Sequence, residues 1–102
     1  MRYELWQTEW CPASRRVRQR LTELGIDWIA RTVPFDRDDR DGMEAATGGR
    51  AIPTLVDGET VIHGADASIG HLDTHRAEPV DAARHRAQMR ADWPHWVELE
   101  GE

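Results

Sequence analysis

The chain has 102 residues, a formal charge of -6 and one cysteine, and all 13 of its lysine and arginine positions are arginine. This length supports a single domain, and a lone cysteine excludes an internal disulfide or a cysteine-cluster metal site. The acidic balance argues against nucleic-acid partners, which need a basic surface. No apolar stretch reaches the roughly 20 residues that span a bilayer, and the first residues lack an apolar signal core. We therefore expect a cytoplasmic protein with a reduced thiol and no membrane partner.

The first half of the chain alternates strand and helix patterns. Residues 3–7 alternate apolar and polar side chains, which predicts a strand. Apolar residues at helical spacing predict a helix over 12–24, because Pro12 is tolerated at a first helical position and Gly25 is a good stop. A β-rich run over 26–33 predicts a second strand. Because a helix joins the two strands, we expect them to be parallel.

The second half predicts a hairpin and three further helices. The hairpin turns at Asp57-Gly58, and Asp66 is the expected N-cap of the helix that follows it. The predicted elements are a helix over 41–47, strands over 52–56 and 60–62, and helices over 67–75 and 80–91. This order indicates an α/β fold, a four-stranded mixed sheet with helices on both faces and an extra C-terminal helix.

Cys11 lies where the first predicted strand passes into a helix. Unpaired N–H groups and the positive end of the helix dipole point at this position, and Arg15 and Arg16 add positive charge. These factors favour the thiolate, which is the reactive form. The alternative is a small buried hydrophobe, the usual role of a lone cysteine. The Trp-Cys-Pro-x-Ser context at a strand-to-helix junction favours reactivity.

Three segments resemble one family. Residues 11–17 are similar to the Cys-Pro-x-Ser-x-Arg-Val start of glutaredoxin-like proteins and of cysteine-type glutathione transferases. Residues 52–55, Ile-Pro-Thr-Leu, resemble the cis-proline segment of the thioredoxin fold, and residues 64–69 resemble the family's Gly-(Glu/Gln)-Ser-x-Ala-Ile helix start. The resemblance implies that residues 1–78 form a thioredoxin-like domain, similar to the N-terminal domain of glutathione S-transferases. Residues 79–102 would add a C-terminal helix and tail packed on it.

The resemblance also implies roles for particular residues. Cys11 would be the nucleophile that forms a mixed disulfide with a low-molecular-weight thiol, glutathione or another, as co-substrate. Pro53, in the cis form, would turn the backbone of Ile52 toward that ligand. Ala65 and Asp66 would lie where the family binds a γ-glutamyl carboxylate with a glutamate or glutamine and a serine. An aspartate there repels a carboxylate and attracts an ammonium.

Ser14 occupies the position of the second cysteine in dithiol relatives, so any redox cycle would use Cys11 alone. Its hydroxyl would donate a hydrogen bond to the thiolate or, alternatively, bond within the first helical turn. Trp10 is expected beside the thiol, where it would cover the apolar part of the ligand. The predicted thiol-ligand-binding residues are Trp10, Pro12, Ser14, Ile52, Pro53, Ala65 and Asp66.

The leading hypothesis is a monothiol, glutaredoxin-like oxidoreductase that removes a small thiol from mixed disulfides, including glutathionylated or thiolated proteins. Conjugation to an electrophile is less expected, because a full transferase has a further helical domain. The first alternative is a non-catalytic binding module or a stand-alone, transferase-like thiol-binding domain. The second is iron–sulfur carriage, although one-cysteine glutaredoxins of that kind have Cys-Gly-Phe-Ser where this chain has Pro12 and Ala13.

Several arginines are open to two interpretations. Arg18 and Arg20 are interpreted as part of a solvated helix face. Arg50 would bind a ligand carboxylate through a bidentate contact or, in the favoured interpretation, serve a structural or solvated role.

The histidines and the tail are less informative. His71 and His75 have a spacing that suits zinc, but two ligands are too few, so no metal is expected. Trp93 and Trp96 are expected to pack back onto the core, because exposed indoles are costly in a small domain.

Overall fold

The computed structural model describes residues 2–89. Its elements are β1 (Tyr3–Gln7), α1 (Pro12–Glu23), β2 (Trp28–Thr32), α2 (Asp41–Thr47), β3 (Thr54–Asp57), β4 (Thr60–His63) and α3 (Ala65–His75). A 3-10 turn over Arg37–Asp39 precedes α2, and residues 82–89 are helical and are called α4 here. The helices cover both faces of the sheet, as the sequence predicts.

The four strands form one mixed sheet in the order β2-β1-β3-β4. β1 is parallel to β2, with Leu5 opposite Ala30, and antiparallel to β3, with Leu5 opposite Leu55. β3 and β4 form the antiparallel hairpin. The predicted topology is confirmed. It places the start of α1 at the carboxyl edge of the parallel pair, the edge at which ligands bind in such folds.

The core lies between one face of the sheet and helices α1 and α3. β1 alternates buried and half-buried residues, so its inward side chains meet the apolar stripe of α1. The buried cluster consists of Tyr3, Leu5, Val17, Leu21, Leu24, Ile26, Leu55, Ala65 and Leu72. This packing determines which residues of α1 face the end of β1.

Local signals predict the element boundaries well at two helices. α1 spans Pro12–Glu23 against a predicted 12–24, and Gly25 follows with a φ of +67°. α2 spans Asp41–Thr47, as predicted, and its C-cap Gly48 has a φ of +83°. Glycine adopts these left-handed conformations without the steric cost of a Cβ atom.

Three predicted boundaries are wrong. β2 is shorter than 26–33, because the N–H of Ile26 still donates to the end of α1. β3 begins at Thr54, after a proline that has no N–H to donate. α3 begins at Ala65 with Gly64 as its N-cap, so the N-cap assignment of Asp66 is incorrect. A φ of +92° at Gly64 allows the helix to start earlier, and it leaves Asp66 inside the first turn, where the helix dipole favours a carboxylate.

A network of ion pairs holds α4 against α1. Arg20 binds Asp73 at 2.8 Å, Glu23 at 2.7 Å and Glu78 at 3.1 Å, and Arg86 of α4 also binds Glu23 and Glu78. The interpretation of Arg20 as a solvated residue is therefore wrong. Burial by itself raises the pKa of Glu23, but hydrogen bonds and the two guanidinium charges outweigh it and lower that pKa.

None of the helices found within residues 2–89 is long and apolar enough to cross a bilayer. The end of the predicted last helix, together with Trp93 and Trp96, lies outside the described residues.

The central position of Leu55 yields a prediction about stability. Leu55 lies on β3 between β1 and β4 and is fully buried in the core cluster, so Leu55→Ala should lower the free energy of unfolding by about 3 kcal/mol through lost burial and the cavity left behind. Val80→Ala is the control, since Val80 is fully exposed and its change should stay within about 0.5 kcal/mol. Urea denaturation followed by circular dichroism measures both, and equal losses would contradict the assignment of the core.

Candidate functional site

Cys11 is the N-cap residue of α1. Its carbonyl accepts the N–H of Arg15 at 3.0 Å, and its Sγ accepts the N–H of Ser14 at 3.4 Å. Pro12 occupies the first helical position, where a missing N–H costs nothing. The thiol is therefore held at the positive end of the helix, and Cys11 as a whole residue is 9% exposed.

The surroundings of Cys11 favour its ionised form. Burial by itself raises the pKa of the thiol. The Ser14 side chain, the backbone N–H groups of Ser14 and Ala13, and the positive charge of Arg18 outweigh burial, so the pKa of Cys11 lies below its usual value. A lowered pKa increases the thiolate fraction near neutral pH, and the thiolate is the nucleophile.

Ser14 is fully buried, and its two polar groups behave differently. The backbone N–H makes the direct hydrogen bond to Sγ of Cys11. The side-chain Oγ lowers the pKa of Cys11 but meets hydrogen-bond geometry with no residue among 2–89. The hydroxyl is therefore not used within the helical turn, and a rotation would let it donate to a sulfur atom held at Cys11.

Arg18 clamps the segment that leads into Cys11. Its Nη1 donates to Oε1 of Gln7 at 2.6 Å and to the carbonyl of Thr8 at 3.1 Å, and its Nη2 donates to the carbonyl of Glu9 at 3.4 Å. Gln7 is fully buried, so these bonds join the end of β1 to α1. The interpretation of Arg18 as a solvated residue is wrong. Its position seven residues after Cys11, two helical turns along the same face, is the sequence signal that identifies it.

A cavity of about 320 Å³ opens beside the thiol. It is lined by Glu9, Trp10, Cys11, Pro12, Arg15, Arg16, Gln19 and Met89. Its walls combine an indole and a thioether with two guanidinium groups, which suits a small ligand with an apolar part and a negative charge. A larger cavity of about 490 Å³ beside α1, β2 and α4 does not include Cys11, but it adjoins the first one through the shared residues Glu9, Arg15, Gln19 and Met89.

The predicted ligand-binding residues Ile52, Pro53 and Asp66 lie outside the lining of this cavity and are linked to it through α3. The Ile52–Pro53 peptide bond is cis, as expected. The carbonyl of Pro53 accepts the N–H of Gly64 at 2.9 Å, and Arg16 of the cavity wall binds Asp66 at 2.7 Å. The backbone of Ile52 makes no hydrogen bond with any other backbone group of the described chain. The structure thus connects the three segments on which the family resemblance rests.

Asp66 and Ala65 begin the first turn of α3 in different environments. Ala65 is buried in the core, whereas the side chain of Asp66 is exposed and its carboxylate is paired with Arg16. The charge that distinguishes this chain from the family pattern therefore has a partner on α1. A ligand carrying both an ammonium and a carboxylate would find the opposite charge for each in this pair.

Arg50 has a structural role. It binds the carboxylates of Asp41 and Glu44 and donates to the carbonyls of Arg37 and Asp38. These contacts agree with the structural interpretation, since they direct its guanidinium to the loop before α2.

The histidines considered for zinc have other partners. Nε2 of His71 lies 2.9 Å from the carboxylate of Asp57, and Nδ1 of His75 lies 2.8 Å from the carbonyl of His71. Among residues 2–89, no group of three or more metal-ligating side chains comes together.

Comparison with known proteins identifies the family. Residues 5–80 match the model of the glutathione S-transferase N-terminal domain, which is three quarters of the chain. The chain belongs to this family. No curated protein matches it significantly.

Solved structures share the fold. FzlA from C. crescentus superposes with a TM-score of 0.66 at 23% identity, covering 78% of this chain and 36% of FzlA. A theta class glutathione S-transferase from Xanthomonas axonopodis pv. citri, with glutathione bound, gives 0.65 at 22% identity, covering 74% of this chain and 38% of that one. Leishmania TDR1, a trimeric glutathione transferase, superposes with a TM-score of 0.67 at 18% identity, covering 88% of this chain and 21% of TDR1. The chain therefore spans little more than a third of these proteins at most.

The contacts of Arg18 yield a prediction about the thiol. Arg18→Met removes the positive charge and the clamp, so the pKa of Cys11 should rise and the pH midpoint of its alkylation by iodoacetamide should move upward. Arg18→Lys keeps the positive charge but cannot reproduce the three hydrogen bonds of the guanidinium. Its alkylation midpoint should therefore lie between those of the wild type and Arg18→Met.

The matched control is Arg31→Met, which removes an arginine paired with Glu4 on the sheet. It should leave the alkylation midpoint unchanged. A common shift in Arg18→Met and Arg31→Met would mean that Cys11 responds to net charge and not to Arg18.

Proposed function

We propose that this domain is a monothiol, glutaredoxin-like oxidoreductase that uses Cys11 to exchange thiols with mixed disulfides of a low-molecular-weight thiol. The observation that carries the proposal is the Cys11 thiol at the N-cap of α1, with a lowered pKa and a ligand-sized cavity beside it. A thiol whose pKa approaches ambient pH is the best attacking group in disulfide exchange.

The proposed cycle has two exchange steps. The thiolate of Cys11 attacks the small-thiol sulfur of a mixed disulfide, and the other half leaves as a thiolate. A second small thiol, as thiolate, then attacks the sulfur bound to Cys11. This step releases the small thiol's own disulfide and regenerates the Cys11 thiolate. Ser14 in place of a second cysteine makes this external thiol necessary.

The small thiol would lie between the α1 and α3 ends of the site. The backbone N–H and C=O of Ile52, which have no backbone partner in the described chain, would pair with a peptide unit of the ligand as an added strand. Asp66 would attract an ammonium and Arg16 a carboxylate, and the free hydroxyl of Ser14 would donate to the sulfur. Glutathione contains all of these groups, and other small thiols contain some of them.

A second candidate is a thiol-binding domain of glutathione-transferase type without disulfide turnover. Its support is the family itself together with the small exposed area of Cys11, 9%, which limits access to bulky disulfides. In that case ligand binding would depend on Ile52, Asp66 and Arg16 and not on the sulfur.

The Cys11→Ser variant tests the proposal. Turnover of a glutathione mixed disulfide, followed through coupled reduction of the released disulfide, should fall by more than about 1,000-fold because the nucleophile is lost. The wild-type thiol should alkylate readily at pH 7. Mass spectrometry of wild-type protein incubated with several small disulfides would identify the thiol class by the adduct that forms fastest on Cys11.

The control measures ligand binding by calorimetry in the same variant. Loss of turnover with retained binding supports the oxidoreductase. Full binding of a small thiol by Cys11→Ser, with a wild-type thiol that resists alkylation at pH 7, would reject the oxidoreductase and leave the binding domain.

A further inference from the structure

Two aromatic side chains are exposed beside Cys11. Trp10 is 58% exposed and Phe35 is 80% exposed, and their ring centroids lie 5.3 Å apart at a tilt of 45°. Trp10 also lines the cavity that contains Cys11. Contiguous exposed aromatic surface is uncommon in small domains and marks interaction sites, particularly next to a nucleophile.

Phe35 lies on backbone that is held in place. The buried guanidinium of Arg40 donates to the carbonyls of Pro34 at 2.9 Å, Phe35 at 3.0 Å and Arg50 at 3.0 Å. Burying a guanidinium is costly unless its donors are satisfied, and here two bonds go to the backbone at Pro34 and Phe35 and the third to the backbone at Arg50. The backbone that carries the exposed ring is therefore held in place, which reduces the conformational entropy lost when a partner binds.

The rim of this aromatic pair is acidic. Asp36, Asp38 and Asp39 lie within four residues of Phe35, are exposed, and form no ion pair with a residue of the described chain, while the exposed Arg37 among them offsets one of the three charges. Glu9, which precedes Trp10, is also exposed but lies 3.8 Å from the guanidinium of Arg18. A basic partner complements this surface, while an acidic one is repelled.

The sheet order places Phe35 and Ile52 at the ends of different strands on either side of β1, while Trp10 borders the Cys11 cavity itself. Cys11 follows β1, Phe35 follows β2 on one side of β1, and Ile52 precedes β3 on the other side. A mixed disulfide of a protein has two halves that need separate surfaces. With the small thiol on the β3 side, the protein half lies on the β2 side, over Trp10 and Phe35.

We propose that Trp10 and Phe35 form a docking platform for protein substrates, and that it selects mixed-disulfide cysteines flanked by an apolar side chain and by basic residues. This inference rests on the proposed function, because it specifies the leaving half of the same exchange reaction. The apolar neighbour packs on the aromatic pair, and the basic residues face Asp36, Asp38 and Asp39.

The test compares three mixed disulfides of the same small thiol. Its partner is 2-mercaptoethanol in the first, a peptide with Leu and Arg beside its cysteine in the second, and the same peptide with Glu in place of Arg in the third. Phe35→Ser should lower kcat/KM for the basic peptide by about 10-fold and leave the small disulfide within about 2-fold. Val61→Ser, at another exposed apolar residue, is the control and should change neither. Added salt should reduce the preference for the basic over the acidic peptide.

A second measurement separates this inference from the proposed function. The same peptides, with their cysteine blocked by alkylation, are titrated into Cys11→Ser and into Cys11→Ser with Phe35→Ser, followed by fluorescence anisotropy. Weaker binding of the basic peptide after Phe35→Ser supports the platform even if wild-type turnover is absent. Equal binding by both proteins overturns it, as does a preference for the acidic peptide.

Sedimentation velocity tests a different occupant of the same surface. If the wild type is a dimer, Phe35→Ser is a monomer and peptide kinetics are unchanged, the aromatic pair binds a second copy of the chain and the docking proposal is wrong. A monomer in both proteins, with the kinetic difference present, supports it.

Discussion

The hydrogen bonds of Arg18 to the end of β1 are the interaction on which the site depends. They join Gln7, Thr8 and Glu9 to α1, immediately before the residues that present the thiol. The same guanidinium contributes positive charge at Cys11. Arg18 therefore contributes to both the position and the ionisation of the Cys11 thiol, although the hydrogen bonds from Ser14 and Ala13 lower its pKa more. The packing of α1 on β1 is what brings the two ends of this clamp together.

Other arginines of this lysine-free chain act in a similar way. Arg40 binds the backbone carbonyls of Pro34, Phe35 and Arg50, and Arg20 binds three carboxylates from α1, α3 and the segment before α4. A guanidinium offers five donors in a rigid fork, so one side chain can join several segments, which a lysine ammonium does less well.

The site divides around β1, and this division follows from the strand order. The proposed small-thiol contacts at Ile52 and Asp66 belong to the β3 side, and Phe35 of the aromatic pair belongs to the β2 side. Cys11 lies between them at the end of the shared strand. Under the proposed function, each half of a mixed disulfide would have its own surface on this thioredoxin-like sheet, with acidic residues next to one and the Arg16–Asp66 pair next to the other.

Features that depend on neighbouring residues are predictable from the sequence: α1 and α2, the parallel pair joined by a helix, the N-cap position of Cys11 and, through the family resemblance, the cis bond before Pro53. The partners of Arg18 and Arg20, the pairing of Arg16 with Asp66 and the contact of Trp10 with Phe35 emerge only from the folded structure. The Arg16–Asp66 contact joins positions 50 residues apart, and the Arg20–Glu78 contact joins positions 58 apart. Charge and spacing along the chain do not reveal such pairs, because they depend on which face of α1 packs on the sheet. Because of that packing, Arg18 and Arg20, whose sequence pattern predicts a solvated helix face, bind other segments of the protein.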